Sequence, residues 1–230
     1  MRSVATFAPA LAAAAMLFTS SLAFAQETVD VGVLKNRDIS VVQNVLYPKA
    51  GRLEIGGHVG WMAFDPLVTA PNFQLSIDKH FSNHLGFSAL LGGGYGFKSL
   101  KYAQLEGPAY GVAPYAYGYL GSALFGVEWA PVYAKMNFGG AKVVHFDVYG
   151  ALRGGATVER SIIPGGGITA APTVSLAVGT RFWVKENLTV RLELRDDLMV
   201  EYRKLTSNWN FKQNAGVTLG VTWFAPRSSR

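Results

Sequence analysis

Residues 188–197, LTVRLELRDD, alternate without a slip. Leu188, Val190, Leu192 and Leu194 take one side, and Thr189, Arg191, Glu193 and Arg195 the other. Side chains of an extended strand point to opposite faces with period two, so this decapeptide is a ribbon with one oily and one ionic face. Such a ribbon permits two folds. In a water-soluble sandwich the oily face packs inward; in a membrane barrel the ionic face does.

The pattern recurs seven more times. Leu53, Ile55, Val59, Trp61 and Ala63 stand opposite Arg52, Glu54 and His58. Phe73, Leu75, Ile77 and Phe81 oppose Gln74, Ser76, Asp78 and His80, and Leu85, Phe87, Ala89, Leu91, Tyr95 and Phe97 share a third face. Ala123, Phe125, Val127 and Trp129 oppose Ser122 and Glu128. Val144, Phe146, Val148 and Leu152 oppose His145, Asp147, Tyr149 and Arg153. Val174, Leu176, Val178, Phe182 and Val184 oppose Ser175 and Arg181, and Ala215, Val217, Leu219, Val221 and Trp223 oppose Asn214, Thr218 and Thr222. These eight ribbons run roughly 10–13 residues each, closer to the ~9–11 of a tilted membrane-crossing strand than to the ~5–6 of a typical soluble one.

Connections support the membrane reading. SNH and KEN are tight, whereas the links near residues 98–121, 156–172 and 199–212 are long. Alternating short and long links suit a barrel with short periplasmic turns and longer outer loops. VYAKMNFGGAK, between the fourth and fifth ribbons, is long for a periplasmic turn, and the alternation offers no reason for it. Hydrocarbon forbids open sheet edges, so eight such strands close into an all-β, antiparallel, up-and-down transmembrane barrel, with ten strands as the alternative count. The soluble sandwich explains the alternation but neither the strand lengths nor the loop pattern.

Composition fixes the compartment. The chain of 230 residues has no cysteine, a formal net charge of +6 and only 16% charged residues, against a usual ~25%. Arg2, the apolar run VATFAPALAAAAMLF and the small-x-small AFA at Ala23–Ala25 read as a secretory signal peptide. Its removal leaves a mature charge near +5. The reading divides the chain into a leader (1–25), a periplasmic N-terminal segment (26–50), an outer-membrane barrel (51–225) and a short tail (226–230). Residues 26–50 are expected to plug the barrel or to bind another envelope protein.

In a barrel of eight strands the ionic faces enclose Arg52, Glu54, Asp78, Glu128, Asp147, Arg153, Arg181, Arg191, Glu193 and Arg195. Five are basic and five acidic, and burial obliges them to pair. Gly56, Gly60, Gly86, Gly92 and Gly126 are expected to make room for the arginines. Trp61, Tyr95, Phe97, Trp129 and Trp223 fall near ribbon ends on the oily side, where interfacial girdles sit. Strand preference for aromatics would place such residues there too.

These features resemble the small outer-membrane β-barrel domain proteins of Gram-negative bacteria, the OmpA/OmpX-like class. Within it the chain is similar to a branch carrying GRLEI in the first strand, WAPVYAKMNF after the fourth and RFWVKENLTVRLELRD across the sixth and seventh. The resemblance spans residues 34–224 and implies an eight-stranded barrel with an envelope role but no defined activity. Some barrels of this kind belong to envelope-spanning assemblies, gliding machinery among them. Trp223-Phe224 looks like the terminal aromatic signal read by the barrel assembly machinery, although the tail APRSSR follows it.

Little points to catalysis. His80 and Ser82 have the two-apart spacing of outer-membrane lipid A deacylases, yet HFSNHLG is ordinary hairpin sequence and no third, orienting group is nominated. His145 and Asp147 fit better as lumen residues than as a protease pair. The four histidines lack ligand companions at diagnostic spacing, so no metal and no cofactor is expected. GGGYGF and PGGGIT lack the Lys-Ser/Thr of a phosphate loop. Dispersed basic residues favour outer-membrane lipid and lipopolysaccharide as partners over nucleic acid. KYAQLEGPAYGVAPYAYGYL, with five tyrosines, offers a contact surface for a partner or a partly ordered loop. The expectation is a non-enzymatic structural or adaptor barrel, with a narrow pore and a lipid A-modifying enzyme as alternatives.

Overall fold

The structure, a computed structural model, describes residues 46–65, 67–138 and 142–226. The leader and residues 26–45 of the next segment lie outside them, as do residues 227–230 of the tail. Nine strands form: β1 (Leu53–Asp65), β2 (Val68–His80), β3 (Leu85–Gly94), β4 (Phe97–Lys98), β5 (Tyr117–Phe138), β6 (Lys142–Ser161), β7 (Ile168–Lys185), β8 (Leu188–Arg203) and β9 (Asn208–Phe224). One helix, α1 (Leu100–Glu106), lies between β4 and β5. All pairings are antiparallel. Eight strands close a ring, with β1 bonded to both β2 and β9, while two-residue β4 adds to the start of β2.

Following paired residues once around the ring leads from Leu53 through Lys79, Phe87, Val127, Leu152, Leu176, Asp196 and Ala215 to Ala63. The walk returns to β1 ten residues further along. Eight strands with a stagger of ten tilt by roughly 40° and give a backbone radius of roughly 8 Å, a bore that side chains fill.

The opening ribbon now has its answer. Leu194 is 55% exposed on the outer wall, and Arg191 is 1% exposed inside. Ile55, Leu75, Phe87, Val127, Leu152, Val178 and Leu219 join Leu194 outside. On β6 the outward row is apolar from Val144 onward, and its last ten-residue stretch, from Val148 to Val158, ends where the row meets Arg160. Those ten residues rise roughly 25 Å along the axis at this tilt, the height of a membrane barrel's apolar band. A soluble sandwich would reverse both faces, and this single closed ring excludes one.

Two expected loops are largely strand. β6 runs to Ser161 with β7 resuming at Ile168, and β8 runs to Arg203 with β9 starting at Asn208. VYAKMNFGGAK also acquires a reason for its length. Val132–Phe138 pairs with Lys142–Val148, continuing the β5–β6 ribbon past Leu85, where β3 begins. A bulge between Trp129 and Val132 marks the departure from the ring.

Candidate functional site

The lumen is the part of this molecule with specific chemistry. All ten charged residues expected to face inward are buried. Arg181 and Arg191 sit at its centre. Arg181 Nη2 lies 3.0 Å from Glu54 and 2.8 Å from Glu128, and its Nη1 lies 3.1 Å from Asp147. Arg191 Nη1 lies 2.7 Å from Asp78 and 3.3 Å from Glu54, with Nη2 2.7 Å from Glu128. Glu128 therefore gives one oxygen to each guanidinium and locks the pair together.

One layer outward, Arg153 grips Glu193 through two parallel bonds of 2.9 and 3.0 Å, the two-pronged geometry that makes arginine–carboxylate pairs strong. Tyr149 links the layers: its hydroxyl donates to Glu193 at 3.0 Å and accepts from Arg191 Nε at 3.2 Å. Its ring lies 4.5 Å below the Arg191 guanidinium carbon. Arg195 reaches Asp197 at 3.2 Å and Gln74 at 3.3 Å. Buried side chains number seven cations and eight carboxylates among the described residues, close enough to balance for pairing to offset most of the desolvation.

Arg52 differs from its expected role. Its described partners are the carbonyl oxygens of Ala225, Glu186 and Phe224 and the side-chain oxygen of Asn187. These contacts tie the last strand to the β7–β8 turn. The glycines also differ, since those near the axis admit rings more than guanidinium groups. A Cβ on Gly179 would come within 2.4 Å of the Tyr149 ring, and one on Gly220 within 2.0 Å of His58. Gly56, Gly60 and Gly92 lie beside serine, threonine, histidine, asparagine or tyrosine side chains, and Gly86 beside His80; Gly126 faces the backbone of Leu152 and Arg153.

Both mouths are closed. At the periplasmic end Tyr47 stacks on Trp183, Trp183 on Phe224 and Phe224 on His80, with centroids 5.1, 4.8 and 5.5 Å apart. Lys49 follows this stack inward to meet Asp147 at 2.6 Å. The last residues of the 26–50 segment thus enter the barrel. At the outer end, Met62, Val68, Ala70, Tyr102, Ala116, Tyr119, Ala171 and Met199 form an apolar cap beneath α1. Below it Lys212 serves Glu159 and Glu201 at 3.8 and 3.4 Å.

Of the five loop tyrosines, Tyr102, Tyr117 and Tyr119 are therefore buried in the mouth, and only Tyr110 is fully exposed. That is a correction to the contact-surface expectation: three of the five rings cap the barrel. Trp61, Tyr95, Phe97, Trp129 and Trp223 stand on the outer wall, each about half exposed. A cavity of about 10 Å³ beside His58, Arg153 and Glu193, room for a single water, lies within the packed interior.

The sequence reading missed Lys49, Glu159, Glu201 and Lys212, and placed Tyr149 on the inward row without giving it a role. A signal for two of them was present. Glu159 continues the inward phase of Arg153 and Thr157, and Glu201 that of Asp197 and Met199. The His80–Ser82 spacing does not assemble a nucleophile and base. His80 Nε2 bonds Glu54 at 2.8 Å inside the lumen, whereas Ser82 Oγ accepts from the backbone N–H groups of His84 and Leu85 in the turn.

No family model matches the sequence, and no curated protein does. Several solved structures are similar in shape. The N-terminal β-barrel domain of Pseudomonas aeruginosa OprF matches with a TM-score of 0.44 at 11% identity, over 76% of this chain and 98% of its own. OprG of the same organism gives 0.43 at 10%, over 78% and 98%. Neisserial surface protein A gives 0.41 at 9%, over 75% and 95%. On the strength of its own closed ring of eight, its stagger of ten and its inside-out distribution of charge, the chain has the fold of the small outer-membrane β-barrels.

Proposed function

We propose that this protein is a non-enzymatic structural or adaptor barrel of the outer membrane. One observation carries the reading: the lumen is packed with paired ions up to an apolar cap at its outer end and is shut at both mouths. Such a bore supplies rigidity instead of passage. Burying charge in this way yields little net stability over an apolar filling, but it suits a barrel whose outer wall must be the oily one.

The adaptor half of the proposal draws on the periplasmic ribbon. Beyond the ring, Val132, Met136 and Val143 present exposed apolar side chains on a two-stranded extension. A water-facing ribbon has no need of them, and an extended strand with open edges is a ready template for strand addition by a partner.

The test is co-purification of the tagged chain from detergent-solubilised envelope, as it stands and with residues 136–144 replaced by a two-residue Asn-Gly turn. The reading expects an envelope protein that is retained by the full chain and lost with the ribbon, while heat-modifiable gel migration persists. Planar-bilayer recording should be silent. Discrete conductance steps from the purified protein would replace this reading with a narrow pore.

A further inference from the structure

On the outer wall, at the upper border of the apolar band, a groove of about 470 Å³ opens between the exit of β3 and the β6–β7 turn. Its walls are Tyr95, Phe97 and Lys98 on one side and Arg160, Ile162 and Pro164 on the other. These segments are not sheet neighbours, because β5 runs between them. They meet because Gly96 crosses directly over Gly118. A Cβ on Gly96 would stand 2.5 Å from the Gly118 Cα, so the crossing requires glycine at 96, and one on Gly118 would press the Gly96 Cα at 3.2 Å.

Arg160 is held ready in this groove. Its guanidinium carbon lies 4.8 Å over the Tyr95 ring, and its Nη2 donates to the Tyr95 hydroxyl. No carboxylate pairs with it among the described residues, in contrast to Lys98, which Glu106 engages at 2.7 and 2.9 Å. A guanidinium carries five N–H donors in a fixed fork. One donates to the Tyr95 hydroxyl, on a side chain that is exposed and lines the groove.

The surroundings say what the fork would meet. Below Arg160 on the same outward row are Val158, Ala156 and Leu152, all open to the hydrocarbon. Tyr95 and Phe97 are half-exposed amphipathic rings of the kind that settle at the headgroup level. A ligand in this position has acyl chains running down the wall and an anionic group at the height of the fork, and arginine forks match phosphate geometry.

We propose that this groove binds the phosphate monoester headgroup of an outer-leaflet saccharide lipid, with Arg160 as the phosphate ligand and Tyr95 as the residue that positions it. The proposal rests on the reading that the outer wall faces a bilayer, and the experiment separates the two. Refolded full-length barrel in detergent is titrated with bis-phosphorylated lipid A, with the same lipid after phosphatase treatment, and with inorganic phosphate, and occupancy is read by native mass spectrometry. One lipid A should bind per barrel, and Arg160→Ala should weaken it about tenfold or more, since a bond to a charged group is worth about 1.5–3 kcal/mol.

Gly96→Val keeps every charge but spoils the crossing, and should show the same loss. Lys135→Ala, which removes an exposed cation at the periplasmic end, should change nothing. Equal binding by the Arg160→Ala variant, or equal binding of the dephosphorylated lipid, overturns the site. Displacement of lipid by millimolar inorganic phosphate overturns the lipid assignment in favour of free phosphate. Failure of the wild-type chain to show heat-modifiable migration would instead count against the barrel itself.

Discussion

In the periplasmic half of the lumen, Arg181 and Arg191 each touch three carboxylate side chains within 3.3 Å. In the outer half, Lys212 alone spans Glu159 and Glu201 at 3.8 and 3.4 Å, and an apolar cap of Met62, Tyr102, Tyr119 and Met199 completes the filling. The same bore is thus stabilised in two ways. Deep in the membrane, every inward charge must find its partner inside the ring, because hydrocarbon surrounds the wall. Towards the outer rim solvent is near, Arg203 at Glu201 is already a quarter exposed, and burial of rings replaces pairing as the organising force.

The sharpest way to break this contrast is Arg191→Met. It leaves Glu54, Asp78 and Glu128 with one cation fewer, and breaking a buried ionic cluster from one side costs about 3–5 kcal/mol. Urea unfolding of the barrel in short-chain phosphatidylcholine vesicles should show that loss. Met199→Ala in the outer cap should cost less, towards the lower end of the ~2–5 kcal/mol for Met→Ala, because water can enter the space it leaves near the mouth. Equal losses would mean that the two halves do not differ in the way described.

A second comparison concerns the wall. Leu192 lies in the middle of the outward apolar row of β8, and Phe211 on β9 pairs with Val200, above Asp196, where that row first meets charge. Both are exposed apolar residues, so a soluble protein would accept arginine at either with similar ease. In a bilayer the two part company. Leu192→Arg should cost about 2–4 kcal/mol and Phe211→Arg about 0–1, following the depth dependence of cationic substitutions on a lipid-facing wall. Similar values at the two positions, measured in the same vesicles, would remove the membrane from the account.

Depth also explains how much of the molecule was legible in the sequence. Where lipid touches the wall, every second residue must be apolar, so β1 and β8 declare themselves by alternation and their inward charges follow. Arg191 and Glu193 needed nothing more than period two. Above Asp196 the outward face turns mixed, the alternation fades, and strand residues such as Glu201 and Asn208 read as loop. The β5–β6 extension was hidden for another reason: the bulge between Trp129 and Val132 shifts the alternation by one, so Val132, Ala134 and Met136 fall out of phase with Phe125 and Val127. Tyr149 was visible on the inward row, but its bond to Glu193 depends on Gly179 opening space on the adjacent strand. Lys49 was out of reach altogether, because it enters the lumen from a segment that has no strand periodicity.

The smallest expected effect tests the joint between the lumen's layers. Tyr149 bonds both to the Arg191 cluster and to the Arg153–Glu193 pair, beside a longer direct contact of 3.8 Å between Arg191 and Glu193. Tyr149→Phe keeps the ring, its packing against Gly179 and its contact with the guanidinium face. It removes a single hydroxyl from Glu193, which retains both bonds to Arg153. About 1.5–3 kcal/mol is the expected loss, since the hydroxyl bonds two charged groups, Glu193 and Arg191, each of which keeps other partners. The informative quantity is how that loss changes in an Arg153→Met background. If Tyr149 merely decorates a self-sufficient pair, its removal then costs the same again. With Glu193 left only the hydroxyl and the longer 3.8 Å contact to Arg191 among its described partners, the cost should rise by about 1–2 kcal/mol, the coupling expected of neighbours in one network. Strict additivity in that double-mutant cycle would show the layers to be independent, and the lumen to be a stack of separate pairs instead of one connected array.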